Sequence, residues 1–258
     1  MIINHNLNAM NAHRNLTFNN TQQGKSSEKL SSGFRINRAA DDAAGLSISE
    51  KMRGQIRGLG QAQRNAQDGV SLIQTAEGAL NEVSDMLVRM KELTVQKANG
   101  TYGAADTANI DLELTNLATN ITNTISNTSF NGKTILDGTA TADIVTDDKG
   151  TKLTVAAAVL TNTKALTSAS TTANIETAID EVNLQRATYG AQQNSLEHTI
   201  NNLGATTENL QAAESRIRDT DMAKEMMTYT KFNILQQAAT AMLAQANQAP
   251  QGVLQLLR

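Results

Sequence analysis

Histidines, paired acids and closely spaced glycines are the residues of this sequence whose types could do chemistry. His5, His13 and His198 are its only histidines. His5 and His13 stand two helical turns apart, too far for a compact two-ligand metal site, so exposed polar roles are expected. Asp41-Asp42, within Arg38-Ala-Ala-Asp-Asp-Ala-Ala-Gly45, resembles a paired carboxylate. Adjacent acids point apart, however, and neither His nor Cys accompanies them. Capping, or ion pairing with Arg35 or Arg38, is the expected role. Gly54, Gly58 and Gly60 fall on a predicted helix and serve bending or tight packing better than a phosphate cradle. No Walker loop, dinucleotide fingerprint, zinc-protease helix or Ser-His-Asp set is visible. With no cysteine, thiolate chemistry and disulfides are excluded. The expectation is a protein without catalytic residues, cofactor or metal.

Composition says what kind of scaffold carries these residues. The 258 residues hold four Phe, three Tyr, no Trp and a single proline, Pro250, against 31 Thr, 26 Asn and 18 Gln. Aromatic side chains usually supply much of a compact core, so a round enzyme domain is a poor fit. A lone proline near the end leaves helices tens of residues long unobstructed. The net charge of −3 provides no basic field for nucleic acid or anionic lipid, so neither is an expected partner. No stretch approaches the ~18 apolar residues of a membrane helix. MIINHNLNAMNAHRN lacks the pattern of a cleaved secretory signal.

Periodicity supplies the elements. Residues 1–33 place Leu7, Met10, Leu16 and Leu30 at helical spacing among Asn, Gln and Ser, a stripe too thin to hold a helix alone in water. From about 46 to 98, Leu59, Ala66, Ile73, Leu80 and Leu87 recur every seven residues, and Ala62, Gly69, Ala76, Val83 and Met90 follow each by three. That is an a/d seam, stopped by Asn99-Gly100 and Gly103. A helix at about 106–127 carries Ile110, Leu114, Leu117, Ile121 and Ile125, with Asp106 or Thr107 as its cap. Asn131-Gly132, Asp137-Gly138 and Asp147-Asp148-Lys149-Gly150 punctuate β-branched runs and predict small hairpins. A loop is expected over 161–173.

Ile175, Val182, Tyr189, Leu196, Leu203, Leu210 and Ile217 then form a second line at steps of seven. Its companion positions hold Ile179 and Ile200, but also Arg186, Gln193, Thr207 and Glu214. One apolar line in a polar interface is expected. Arg218-Asp219-Thr220-Asp221 breaks the register, and a last helix at about 222–247 presents Met222, Met226, Tyr229, Leu235, Met242 and Ala246. Pro250 is expected to end it before an apolar tail of Val253, Leu254, Leu256 and Leu257. Four large aliphatics so close together are costly to leave in water and suggest an assembly surface. The marginal helices bracket the strong ones and are expected to pair. The fold class is mainly α, an elongated antiparallel helical bundle or coiled-coil rod with a small β-hairpin insert.

At both ends the residues become specific. MIINHNLNAMNAHRNL, continued by KLSSGFRINRAADDAAGLSISEKM at 29–52, closely resembles bacterial flagellin. SRIRDTDMAKEM at 215–226 and ILQQAATAMLAQANQAPQGVLQLL at 234–257 resemble the other half of that family. The resemblance covers about 1–138 and 175–258. It implies an exported subunit that self-assembles into the filament used for swimming and sits outside the cell. Residues 1–44 would form the N-terminal half of an inner-tube helical domain plus spoke, and 219–258 its C-terminal helix. Residues 45–174, with the variable insert at about 130–174, and 175–218 would form the two halves of a rod domain. Leu7, Met10, Leu235, Met242, Val253, Leu254, Leu256 and Leu257 would carry assembly.

The resemblance also implies partners: the flagellar type III exporter, a cytoplasmic chaperone for the C-terminal helices, filament cap and junction proteins, and Toll-like receptor five of hosts. Against the family's QRVREL receptor core, Leu87-Val-Arg-Met-Lys-Glu-Leu-Thr-Val-Gln96 keeps Arg89, Glu92 and Leu93, and Glu113 matches an acidic contact on the next helix. Val88 replaces Gln and Lys91 replaces Arg, which is not neutral at a planar contact. Leu117 stands where enteric flagellins carry another Arg. The shortness of the insert implies no outer globular domain from 139–174, and its Thr/Ser run offers O-glycan acceptors. The competing readings are a hook–filament junction protein and, from another class, a chemoreceptor-like signalling coiled coil. The latter would need a membrane or sensory segment and a tight central hairpin.

Overall fold

The computed structural model describes residues 6–138 and 141–256, with side chains to residue 248. Among the described residues, six helices and two hairpins follow in order: α1 Leu7–Ser32, α2 Ala43–Lys97, α3 Ala104–Asn127, β1 Ser129–Phe130, β2 Lys133–Thr134, β3 Ala142–Val145, β4 Lys152–Val155, α4 Thr161–Lys164, α5 Thr172–Arg218 and α6 Met222–Leu256. The mainly α architecture with a small hairpin insert is as expected. The chain forms two compact units: residues 1–54 with 209–258, and residues 55–208. Their borders lie about ten residues inside the predicted domain limits, within α2 and α5 rather than at the helix breaks.

The larger unit has a continuous core. All ten residues of the α2 seam, from Leu59 to Met90, are buried. With 55 residues, α2 is about 80 Å long. From α3, Ile110, Leu114, Ala118, Ile121 and Ile125 face it, and from α5 Ile175, Ala178, Val182, Tyr189 and Leu196. Both run antiparallel to α2: Lys97 pairs with Asp111 near one end, and a Cβ on Gly69 would lie 3.3 Å from Leu196 Cδ1. The α5 line holds as far as Leu203, while Ile179 and Ile200 are only partly buried. Burial raises the pKa of the Tyr189 hydroxyl. The polar remainder of this interface is real, since Gln185 Nε2, Gln192 Oε1 and Thr207 Oγ1 are buried without a protein partner.

The start of α3 differs from expectation. Gly103 precedes it, and Asp106, three residues later, accepts the Gly103 N–H at 3.2 Å. Along α3, Thr115, Thr119, Thr122 and Thr124 each donate to the carbonyl one turn back, at 2.7 to 3.0 Å.

The insert is held to α2 from one side. Asn131 (φ 49°) and Gly132 (φ 77°) make the two-residue turn between β1 and β2. In the second hairpin Ala142 pairs with Val155 and Val145 with Lys152, and the Asp147 carboxylate accepts from the N–H groups of Lys149 and Thr151. Ile144 lies directly over Gly69, where any Cβ would sit 2.2 Å from Ile144 Cδ1. Gly58 lies under Asp148, and Asn65 donates to the Val145 carbonyl at 3.3 Å. Asp137-Gly138 is a turn outside the hairpins. The expected loop at 161–173 contains α4, whose first N–H groups, Asn162 and Thr163, point at the Glu181 carboxylate of α5. α5 then starts earlier than its pattern, at Thr172.

Candidate assembly surface and exposed ion network

The smaller unit is built on the pairing of α1 with α6, and it has almost no core. Asn6 caps α1 by accepting the Ala9 N–H at 3.1 Å, and Gly33 ends it in the left-handed conformation (φ 74°), its N–H on Lys29 O. Ser26 is the one buried residue of α1. α6 runs antiparallel to α1: Asn19 donates to Leu235 O at 3.4 Å and Asn6 to Ala246 O at 2.7 Å. The expectation that Pro250 ends the helix is overturned, because α6 continues to Leu256. Proline has no N–H for the carbonyl four residues back. That carbonyl is Ala246 O, and the Asn6 amide supplies the missing donor.

The other end of the pair is a polar latch. Phe34 and Asp219 form an antiparallel bridge, with Arg35 N–H on Arg218 O at 2.7 Å and Thr220 N–H on Gly33 O at 3.0 Å. The Arg218 guanidinium lies 5.0 Å from the Phe34 ring centre and donates to Glu50, which it holds below the ordinary carboxylate range. Asp42 caps α2 by accepting the Gly45 N–H at 2.8 Å, and a Cβ on residue 45 would meet that same carboxylate. Asp41 accepts from the Arg38 and Asn37 backbone, which lowers its pKa. Capping is therefore the role of Asp42, while Asp41 fastens the turn that precedes α2. The alternative of pairing with Arg35 or Arg38 is not seen: Arg35 donates to Ile217 O and Arg38 pairs with Glu28 at 3.0 Å.

Among its polar residues the pair leaves large apolar side chains uncovered. Leu7, Met10, Phe18, Met222, Met226, Met227, Ile234, Leu235 and Met242 are all exposed, Leu7 at 64% and Met242 at 65%. Phe18, Leu235, Ala239 and Met242 line an open groove of about 790 Å³ between the two helices. Of the predicted assembly residues, Leu7, Met10, Leu235 and Met242 thus fall on one helix pair. The side chains of Val253, Leu254, Leu256 and Leu257 lie outside the described residues.

The second predicted site is on α2 and α3. Arg89 donates to Glu113 at 3.0 Å and to Glu92 at 3.2 Å, all three exposed, and these bonds raise the Arg89 pKa. Lys91 turns instead to Glu176 of α5 at 3.0 Å. Leu93 does not join them. It is 2% exposed, so its side chain belongs to the core and is closed to a docking partner. Leu93 falls six after Leu87, beside the heptad seam and not on it, so the seam spacing alone did not mark it as core.

Comparison with known proteins agrees with these observations. Residues 3–141 match the family model of the bacterial flagellin N-terminal helical region, and residues 172–257 that of the C-terminal helical region. A flagellin of Halalkalibacterium halodurans is 55% identical and one of Bacillus subtilis 50%, each aligned over the whole of both chains. The flagellar filament 33 kDa core protein of Treponema phagedenis is 48% identical, again over both full lengths. The chain belongs to the bacterial flagellin family.

Proposed function

We propose that the chain is the repeating structural subunit of an extracellular flagellar filament, polymerising through the exposed faces of α1 and α6. The observation that carries this is the contrast between the units. Residues 55–208 have a continuous apolar core, whereas the α1–α6 pair exposes nine large apolar side chains. At about 25 cal/mol per Å², such a face is far more stable covered by neighbouring copies than wet. Residues 1–44 and 219–258 then make the inner-tube part of the subunit, and 45–218 the surrounding rod part. Such a subunit leaves the cell through the flagellar type III exporter, held by a chaperone on α6, and grows beneath a cap. Seeded electron microscopy tests the reading: purified chain should extend filament fragments, and deletion of its gene should abolish swimming. No extension under any seeding condition, with motility intact, would refute it.

The Arg89–Glu92–Glu113 network supports a second reading, recognition of the rod surface by Toll-like receptor five. The contact set is then Arg89, Glu92 and Glu113 without the Leu93 side chain. Arg89→Ala should weaken receptor binding while leaving helicity unchanged; equal binding would remove this role.

A further inference from the structure

Seven of the nine methionines divide sharply by environment. Met90 is fully buried and Met86 packs against the same core. Met10, Met222, Met226, Met227 and Met242 are between 48% and 67% exposed, and all five lie on α1 or α6. Met242 lines the groove with Phe18 and Leu235, while Met226 and Met227 line a second depression with Thr230 and Ile234. The sequence has neither cysteine nor tryptophan, so these thioethers are its most readily oxidised accessible side chains.

We propose that these five methionines are an oxidation site that gates subunit addition. Hydrogen peroxide converts them to sulfoxides in the free chain and stops its assembly, whereas assembled copies, with the same sulfurs covered, are spared. The inference rests on α1 and α6 being the assembly surface. In the reaction a sulfur lone pair attacks one peroxide oxygen; the O–O bond breaks as the S–O bond forms. Sulfur loses two electrons, and the released hydroxide takes the proton from the new S–OH group, leaving the sulfoxide and water. The product carries a strong acceptor oxygen where a flexible apolar side chain stood, and burying it against an apolar neighbour without a donor is unfavourable. Oxidant therefore halts growth without dissolving existing filament.

The test uses the full-length chain, hydrogen peroxide and untreated filament seeds. Peptide mass spectrometry of the treated free chain should show sulfoxide at the five exposed positions, with Met90 intact. Elongation should fall about tenfold or more, the loss expected when one apolar side chain can no longer be buried. Filaments treated alike should keep their thioethers and length. Replacing all five by leucine should preserve elongation after peroxide, and Met227→Gln with Met242→Gln should slow it without oxidant. Full-speed elongation by oxidised chain, or equal inhibition of the leucine variant, overturns the proposal. Untreated chain that extends no seed instead overturns the filament reading beneath it.

Discussion

The Asn6–Ala246 hydrogen bond permits a prediction in which two residues are tested against each other. Asn6 does two things: its Oδ1 caps α1, and its Nδ2 donates to Ala246 O at 2.7 Å. The carbonyl is free because residue 250 of the uninterrupted helix is proline. Asn6→Asp keeps a capping oxygen and removes the donor, at a net cost of about 1 kcal/mol for a partly buried neutral bond. Asn6→Ala loses the cap as well, for about 2 kcal/mol in all. In a Pro250→Ala background residue 250 gains an N–H, Ala246 O regains its helical donor, and Asn6→Asp should cost almost nothing. The coupling energy is then about 1 kcal/mol, or about fivefold in the critical concentration for polymerisation. Critical concentrations of the four chains, measured by sedimentation of filaments at equilibrium, complete the cycle. Effects that simply add would refute the reasoning, because Asn6 would not be serving the acceptor that proline opens.

Three further outcomes follow from other parts of the molecule. Gly69→Ala should lower the stability of residues 55–208 by about 1–3 kcal/mol, since its Cβ would displace Ile144, whereas Gly60→Ala, with open space around it, should gain up to about 1 kcal/mol; urea unfolding followed by circular dichroism measures both. Glu50 and Asp41 are held below their ordinary values, so their stabilising contribution is complete above the ordinary carboxylate pKa and is lost as pH falls through the lowered ones. Filaments should therefore depolymerise in acid, and Glu50→Gln should flatten that part of the pH profile at the expense of stability at neutral pH. Removing the last ten residues should give a chain that no longer polymerises yet keeps the helicity of residues 55–208, as seeded microscopy and circular dichroism would show.

The elements legible in the sequence were those whose signal is local and repeated. Every seam position of α2 is buried because a heptad line over so many turns has only one way to hide. The hairpin turn at Asn131-Gly132 was equally plain, since two successive positive φ values call for those residues. What escaped depends on residues far apart. Pro250 reads as a helix end until Asn6, 240 residues from Ala246 in the chain, donates to the Ala246 carbonyl in place of the N–H that proline lacks. Residues 161–164 read as loop until Glu181 collects the N–H groups of Asn162 and Thr163. Arg218 read only as an interruption, although it stacks on Phe34 and binds Glu50. Leu93 shows the opposite failure: a family motif marked it for a surface, and the packed helices bury it.

The threonines of α3 have a consequence for what this helix shows to its surroundings. Thr115, Thr119 and Thr122 are exposed, but their hydroxyl hydrogens are committed to their own backbone. What each turns outward in part is a methyl group, so a face that composition tallies as hydrophilic has some of the texture of valine. Contacts made through methyl groups are fixed by shape and not by bond direction, and they survive a small slide that would snap a hydrogen bond. A chain rich in threonine can thus be soluble by composition and still offer a neighbour a surface with some give.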